Sequence, residues 1–343
     1  MPNRRTQPDA QRLRVIYVMG AGRSGSTVLS ALLGAHPQVI GVGELEQYLL
    51  PHQGGLDGQL CSCRRWHLQC PFWREVFDRW QSAGHGVDPQ TFVAWQARYS
   101  DFRGLGHLRW LRLIGNGVRC SASFERYLAA TEALLRAIAE TAGRSVIVDS
   151  SKNPLRALLL GRISDLDVRV VHAVRDGRAV AWSRKKTYRK DELSGVQREF
   201  RSLPAWYTAT HWSLVNAIAS LVRRRFADHA ALIRYEDLVT EPEATLERLG
   251  QSVGLDMRPV IDDVRHGREI PVGHMIAGNR LRMSGVIRVR ADTEWIRKLP
   301  ARDRRTCWII AGWLLKRYGY TRQGECTRRG PCAPQGTSAR RAA

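Results

Sequence analysis

Gly20-Ala21-Gly22-Arg23-Ser24-Gly25-Ser26-Thr27 is a glycine-rich octet. Between a strand and a helix, such a loop aims consecutive backbone N–H groups and the positive helix end at one point, which suits a phosphate or a sulfate. Against the nucleotide-triphosphatase pattern G-x-x-x-x-G-K-[ST], Gly20, Gly25 and Thr27 fit, but Ser26 stands where Lys belongs. The loop's own cation is Arg23, whose planar fork can grip an oxyanion bidentately. A second constellation is Arg175-Asp176-Gly177-Arg178 with Ser183 eight residues beyond Arg175. At about 100° per residue, eight positions return to nearly the same helix face, so Arg175 and Ser183 can bracket a second anion. Glu44, after Gly41-Val42-Gly43, is a carboxylate in a setting where glycines permit close approach, and Glu46 is its alternative as a general base.

Other reactive side chains are read more plainly. Asp149, after Val146-Ile147-Val148, has the setting of a Mg²⁺-binding acid in a triphosphatase, the main argument for a kinase. Cys61, Cys63, Cys70 and His67 are metal-ligand types, but C-x-C-x₆-C lacks a second C-x-x-C pair. Buried or redox-inert thiols and no metal are expected there. His36, in Ala-His-Pro, reads as a helix-ending residue, and Trp206, Tyr207 and Trp212 at helical spacing read as core.

These residues need elements to hold them. Val15 to Met19 is a β-rich run leading into the octet, and Ser26 to Leu33 has helical apolar spacing. The pattern recurs in Ser145 to Asp149 before Leu155 to Ile163, in Val168 to Val174 before Arg178 to Lys186, and in Ala230 to Arg234 before Glu243 to Val253. Strands alternating with helices predict right-handed βαβ units, a parallel sheet, and ligands at the carboxyl ends of its strands. The fold class is therefore α/β: a P-loop-like parallel sheet flanked by helices. One domain is expected over 1–320, with an insertion over about 48–117 capping the site. Amphipathic helices are expected at Phe124 to Ala142, packing back on the sheet, and at Pro300 to Tyr318. A further helical region, Val196 to Phe226, is interrupted at Pro204. Residues 321–343, rich in Gly, Pro and Arg, read as a disordered basic tail.

Composition narrows the function. The 343 residues are 43% hydrophobic and 25% charged, which excludes a disordered chain and a membrane bundle. Lys and Arg total 54 against 32 Asp and Glu, a net +22 that favours an anionic partner. From Arg280 onward there are 16 basic against 4 acidic residues, so over half of the excess is C-terminal. Seven scattered Cys argue for a reducing compartment. The apolar stretch Leu13 to Met19 is too short for a signal peptide and contains Arg14, so a cytoplasmic location is expected.

Taken together, the motifs resemble the sulfotransferase superfamily, which uses 3′-phosphoadenosine-5′-phosphosulfate as donor. Gly22 to Thr27 resembles the family's 5′-phosphosulfate loop in an Arg-containing variant. Val170 to Arg178, with Ser183, resembles the strand–loop–helix that binds the 3′-phosphate. Arg234-Tyr235-Glu236-Asp237-Leu238 resembles a third segment, whose tyrosine lies near the adenine. Ala35 to Glu44 is similar to the tyrosylprotein-sulfotransferase arrangement, which implies Glu44 as base. Lys152, before Asn153-Pro154, is implied as an electrostatic stabiliser. The loop Asn279 to Gly285 falls where relatives close over the 3′-phosphate, which implies Arg280, although the family's Arg-Lys-Gly pattern is missing.

The resemblance implies catalysis by Glu44, Arg23 and Lys152 without a metal. It implies donor binding by Arg23, Ser24, Gly25, Ser26, Thr27, Arg175, Ser183, Tyr235 and Arg280. The acceptor would be a carbohydrate, lipid, phenol or peptide hydroxyl, with membrane contact through the basic C-terminal region as a further expectation. A P-loop kinase using ATP and Mg²⁺ is one alternative, disfavoured by the missing loop Lys. A basic nucleic-acid-binding protein is another, disfavoured because no helix-turn-helix, zinc-finger or RNA-recognition signature is present.

Overall fold

The computed structural model describes residues 12–50, 59–100, 121–187, 189, 191, 199 and 201–323. Five strands form its centre: β1 (Leu13–Met19), β2 (Val39–Gly43), β3 (Val146–Lys152), β4 (Leu166–Val174) and β5 (Ala230–Arg234). Their order is β2-β3-β1-β4-β5, and every neighbouring pair is parallel. Such a sheet is buried on both faces, which explains why the strands read as near-continuous apolar runs. Along β1, Val15, Tyr17 and Met19 face one core while Ile16 and Val18 face the other.

Twelve helices of the described residues accompany the sheet: α1 (Ser26–Gly34), α2 (Pro71–Ser82), α3 (Pro89–Ser100), α4 (Ala122–Ala142), α5 (Pro154–Leu160), α6 (Gly177–Lys185), α7 (Ala205–Phe226), α8 (Tyr235–Thr240), α9 (Pro242–Val253), α10 (Arg258–Arg265), α11 (Glu294–Lys298) and α12 (Ala301–Arg317). Ser121 caps α4 by accepting from the Phe124 N–H at 3.2 Å, and Gly143 ends it at φ 58°. Pro204, the expected interruption, directly precedes α7.

The expected insertion is partly described. Its α2 and α3 send Trp73, Trp80 and Phe92 into the core shared with α4, and Trp80 Nε1 donates to the Ala130 carbonyl at 2.9 Å. Gly54-Gly55 and residues 101–117 lie outside the described residues. A two-stranded antiparallel sheet, β6 (Ile270–Pro271) with β7 (Val286–Ile287), was not anticipated. The chain between them returns to the main sheet: Ile276 N donates to the Val42 carbonyl at 2.9 Å, and Glu44 N donates to the Ile276 carbonyl at 2.8 Å.

The expected start of the tail falls inside ordered contacts. The carbonyls of Thr321 and Arg322 accept from the buried Arg178 guanidinium at 2.8 and 2.7 Å, because that side chain has a carboxylate on one side only. Residues 324–343 lie outside the described residues. Among the described residues, no helix is long and apolar enough to cross a membrane.

Candidate active site

The order of strands reverses on either side of β1, so the chain opens a crevice at the carboxyl ends of β3, β1 and β4. The glycine loop sits there. Gly20 has φ 138°, and a Cβ on it would come within 2.3 Å of the Ala173 carbonyl oxygen, so only glycine lets β1 turn against β4. Gly25 precedes α1 at φ 83°, and its Cβ would fall 2.4 Å from the Tyr235 ring. Between them Arg23 adopts a left-handed φ of 72°. Ser24 Oγ is buried with no hydrogen-bond partner among the described residues.

The loop is buttressed from behind. Ala21 N donates to Asn216 Oδ1 at 3.4 Å, and His172 Nε2 meets the same oxygen at 3.0 Å. Burial pushes His172 down to about 4, so its imidazole is neutral at physiological pH and Nε2–H is the donor to Asn216.

Arg175 follows β4 and closes the neighbouring side. Its guanidinium lies over the Tyr235 ring at 4.4 Å, and its Nη1 donates to the Arg23 carbonyl at 3.5 Å. Asp292 accepts from its Nη2, 3.0 Å from side-chain oxygen and 3.1 Å from the backbone carbonyl. Arg175 Nε, also buried, has no hydrogen-bond partner among the described residues. Trp212 Nε1 fixes the Arg175 carbonyl at 3.0 Å. Ser183 is partly buried on α6, two turns beyond. Its neighbour Arg184 approaches Gly22, where a Cβ would lie 3.2 Å from Nη2. Burial and then the Arg23 charge hold Arg184 below the ordinary guanidinium range.

On the other side, the Lys152 ammonium pairs with Glu44. Gly278 packs between Glu44 and the loop: a Cβ there would lie 3.2 Å from Thr27 Oγ1 and 3.4 Å from Glu44 Oε1. Asn279 N donates to Thr27 Oγ1 at 3.2 Å. Glu46 points elsewhere, accepting from Asn153 Nδ2 at 2.9 Å. Burial pushes Glu46 up to about 7 despite the nearby Arg156 charge and the Asn153 hydrogen bond.

Asp149, the candidate Mg²⁺ ligand of a kinase, is fully buried. One oxygen accepts from Arg156 Nε at 3.0 Å and the other from Ser151 N at 2.9 Å, so both are committed within the fold. His36 lies at the opposite end of the sheet, in the turn between α1 and β2. Gln38 N donates to its Nδ1 at 3.2 Å, and its Nε2 contacts the Asp256 carbonyl at 3.1 Å.

A sulfotransferase family profile matches residues 15–259, most of the chain. The chain belongs to the sulfotransferase family. No curated protein matches it. Similar solved structures include the sulfotransferase domain of the Synechococcus PCC 7002 olefin synthase, at 20% identity and a TM-score of 0.45, with 91% of this chain and 98% of that one covered. The sulfotransferase domain from the curacin biosynthetic pathway follows at 16% and 0.44, covering 89% and 98%. Sulfotransferase STF9 from Mycobacterium avium stands at 14% and 0.42, covering 92% and 80%.

Within this sulfotransferase, Arg23, Ser24 to Thr27, Arg175 and Tyr235 come together, as do Glu44 and Lys152. Arg280 opens a short helical turn and is exposed, whereas Arg282 is buried in the same turn, with Nη2 donating to the Leu60 carbonyl at 3.3 Å. Sequence reading missed Arg184, Asp292 and Arg282. Arg184 adjoins Ser183 in the motif and was within reach; Asp292 and Arg282 are placed by tertiary contacts. Trp212 is core as expected, but Trp206 and Tyr207 are 58% and 45% exposed, because they fall on the outer face of α7.

Proposed function

We propose that this sulfotransferase moves a sulfuryl group from 3′-phosphoadenosine-5′-phosphosulfate to an acceptor hydroxyl. The observation that supports this reading is a pair of buried donors without partners among the described residues, Ser24 Oγ and Arg175 Nε, on two adjacent loops bridged by Tyr235. Buried polar groups are rarely left unpaired, and a ligand with two anionic groups supplies what both need.

In this reading the Ser24 to Thr27 N–H groups hold the phosphosulfate. Arg175 and Ser183 hold the 3′-phosphate, Tyr235 lines the adenosine side, and Arg280 lies at its rim. Glu44 takes the proton of the acceptor hydroxyl as its oxygen bonds to sulfur and the bond from sulfur to the phosphate oxygen breaks. Arg23 and Lys152 neutralise the charge growing on that departing oxygen. The described part of the insertion, 59–100, would border the acceptor, and its class is a small molecule, glycan or lipid bearing a hydroxyl. Cytoplasmic residence and peripheral membrane contact of the C-terminal region belong to the same proposal.

Calorimetry separates this reading from its alternatives. Adenosine 3′,5′-bisphosphate should bind without Mg²⁺, while ATP with Mg²⁺ and duplex DNA should not compete for the site. Tight ATP–Mg²⁺ binding with no affinity for the bisphosphate would refute it. Transfer from labelled donor across an acceptor panel then identifies the acceptor class.

A further inference from the structure

Among the described residues, the histidine whose ring nitrogen gathers with the thiols of Cys61, Cys63 and Cys70 is not the His67 of the sequence reading. It is His274, which is 204 residues from Cys70. One ligand atom from each of the four residues lies within 4.8 Å of all the others. His274 Nδ1 is 3.3 Å from Cys70 Sγ and 3.6 Å from Cys61 Sγ. Bonds of about 2.3 Å to sulfur and 2.05 Å to nitrogen in a tetrahedral zinc site put sulfur and nitrogen roughly 3.5 Å apart.

The backbone brings an N–H group to each of the three sulfurs. Cys61 N donates to the Arg65 carbonyl and Arg64 N to the Cys61 carbonyl, each at 2.9 Å, and Arg64 is left-handed at φ 67°. This tight turn directs the Cys63 and Arg65 N–H groups at the Cys61 and Cys63 sulfurs, and the Trp73 N–H is directed at Cys70. Cys70 also sits at the N-terminus of α2, where the helix favours negative charge. The imidazole is oriented independently: Phe72 stacks on it at 5.1 Å and 10°, and Trp73 Nε1 fixes the His274 carbonyl at 2.9 Å. Three thiolates and a neutral imidazole around a divalent cation leave a net negative charge. Arg282, 1% exposed and with Nε lacking a hydrogen-bond partner among the described residues, lies within electrostatic reach of Cys61.

We propose that Cys61, Cys63, Cys70 and His274 form a structural zinc site. All four positions are filled by protein, which suits a structural role rather than a catalytic one. Binding releases the three thiol protons and forms three Zn–S bonds and one Zn–N bond without redox change. The site staples the insertion to the segment before Gly278: Cys61 and Gly43 both form β-bridges to Ile276, whose carbonyl holds the Glu44 N–H. Zinc thereby fixes the wall that carries Glu44, and its presence does not depend on which reaction that wall serves.

Metal analysis of full-length protein purified without chelator should give about one zinc per chain, the stoichiometry of a Cys₃His site. Cys70→Ser and His274→Gln should lose it, whereas His67→Gln should keep it; retention in His274→Gln with loss in His67→Gln overturns the ligand set. The wild-type chain provides a test that needs no variant. Stripped protein titrated with cobalt(II) should develop the visible bands and sulfur-to-metal charge transfer of a tetrahedral thiolate site, and zinc should raise its melting temperature. A native protein that is metal-free, gives no such bands and melts identically with and without zinc refutes the proposal. So does an intact mass lacking two hydrogens, which would show a disulfide between two of these cysteines.

Discussion

The Lys152 ammonium is paired with the Glu44 carboxylate where the carboxyl ends of β3 and β2 meet, the two side chains being 20% and 18% exposed. The base and the cation of the proposed mechanism therefore neutralise each other before substrate arrives. Transfer requires the pair to part, with Lys152 turning to the departing phosphate oxygen and Glu44 to the acceptor. Glu44→Gln keeps the shape and removes the basicity, so kcat should fall by the ~10²–10⁴ of general-base catalysis while donor affinity persists. If instead Glu46→Gln abolishes turnover and Glu44→Gln leaves it near wild type, Glu46 is the base.

Asp292 occupies Arg175, the residue proposed to hold the 3′-phosphate. A phosphate must compete with that carboxylate. Asp292→Asn should tighten adenosine 3′,5′-bisphosphate severalfold, and Arg175→Ala should weaken it by roughly 10- to 100-fold, from the ~1.5–3 kcal/mol of a hydrogen bond to a charged group. Ser183→Ala should add a smaller loss. Adenosine 5′-phosphate, without the 3′ group, should respond to none of the three. An equal response of both nucleotides in calorimetry would place the 3′-phosphate elsewhere.

Arg23 is expected to act mainly on the transition state, because the charge it faces grows as the sulfuryl group leaves. Arg23→Ala should lower kcat more than it raises the donor Kd, and Arg23→Lys should recover only part, since an ammonium lacks the planar fork. Equal losses in Kd and kcat would show that Arg23 only holds the donor.

Glu46 makes stability depend on pH. Its folded value of about 7 lies above that of an exposed carboxylate, so between about pH 4.5 and 7 the folded state binds more protons than the unfolded one. Stability contributed by this group is therefore present at low pH and falls as pH rises through 7. Glu46→Gln retains an acceptor for Asn153 and removes the ionisation. It should stabilise the protein by up to roughly 2–3 kcal/mol above pH 7 and by little below pH 5. Urea melts of both proteins across that range measure the difference, and parallel pH profiles would contradict the assignment.

The strands β1, β3, β4 and β5, the helices following them and the two loops after β1 and β4 were legible in the sequence because their signals are local. A buried parallel strand needs an unbroken apolar run, a tight strand-to-helix turn needs glycine, and a helix start needs a cap, all within a dozen residues. Glu44 and Lys152 were named from the resemblance of their flanking segments to sulfotransferases, and their meeting follows from β2 and β3 being neighbours. Tertiary structure alone decided which groups from distant segments share a space. Asp292 lies 117 residues beyond Arg175, and His274 lies 204 beyond Cys70. No periodicity encodes those separations. They arise because the segment after β6 is drawn back to β2 through Ile276, and because α2 and α3 bury Trp73, Trp80 and Phe92 in the core rather than standing apart as a loop. The same long-range packing left Trp206 and Tyr207 outside while Trp212 went in: spacing along a helix defines its faces, but only the neighbours that cover it determine which face is buried.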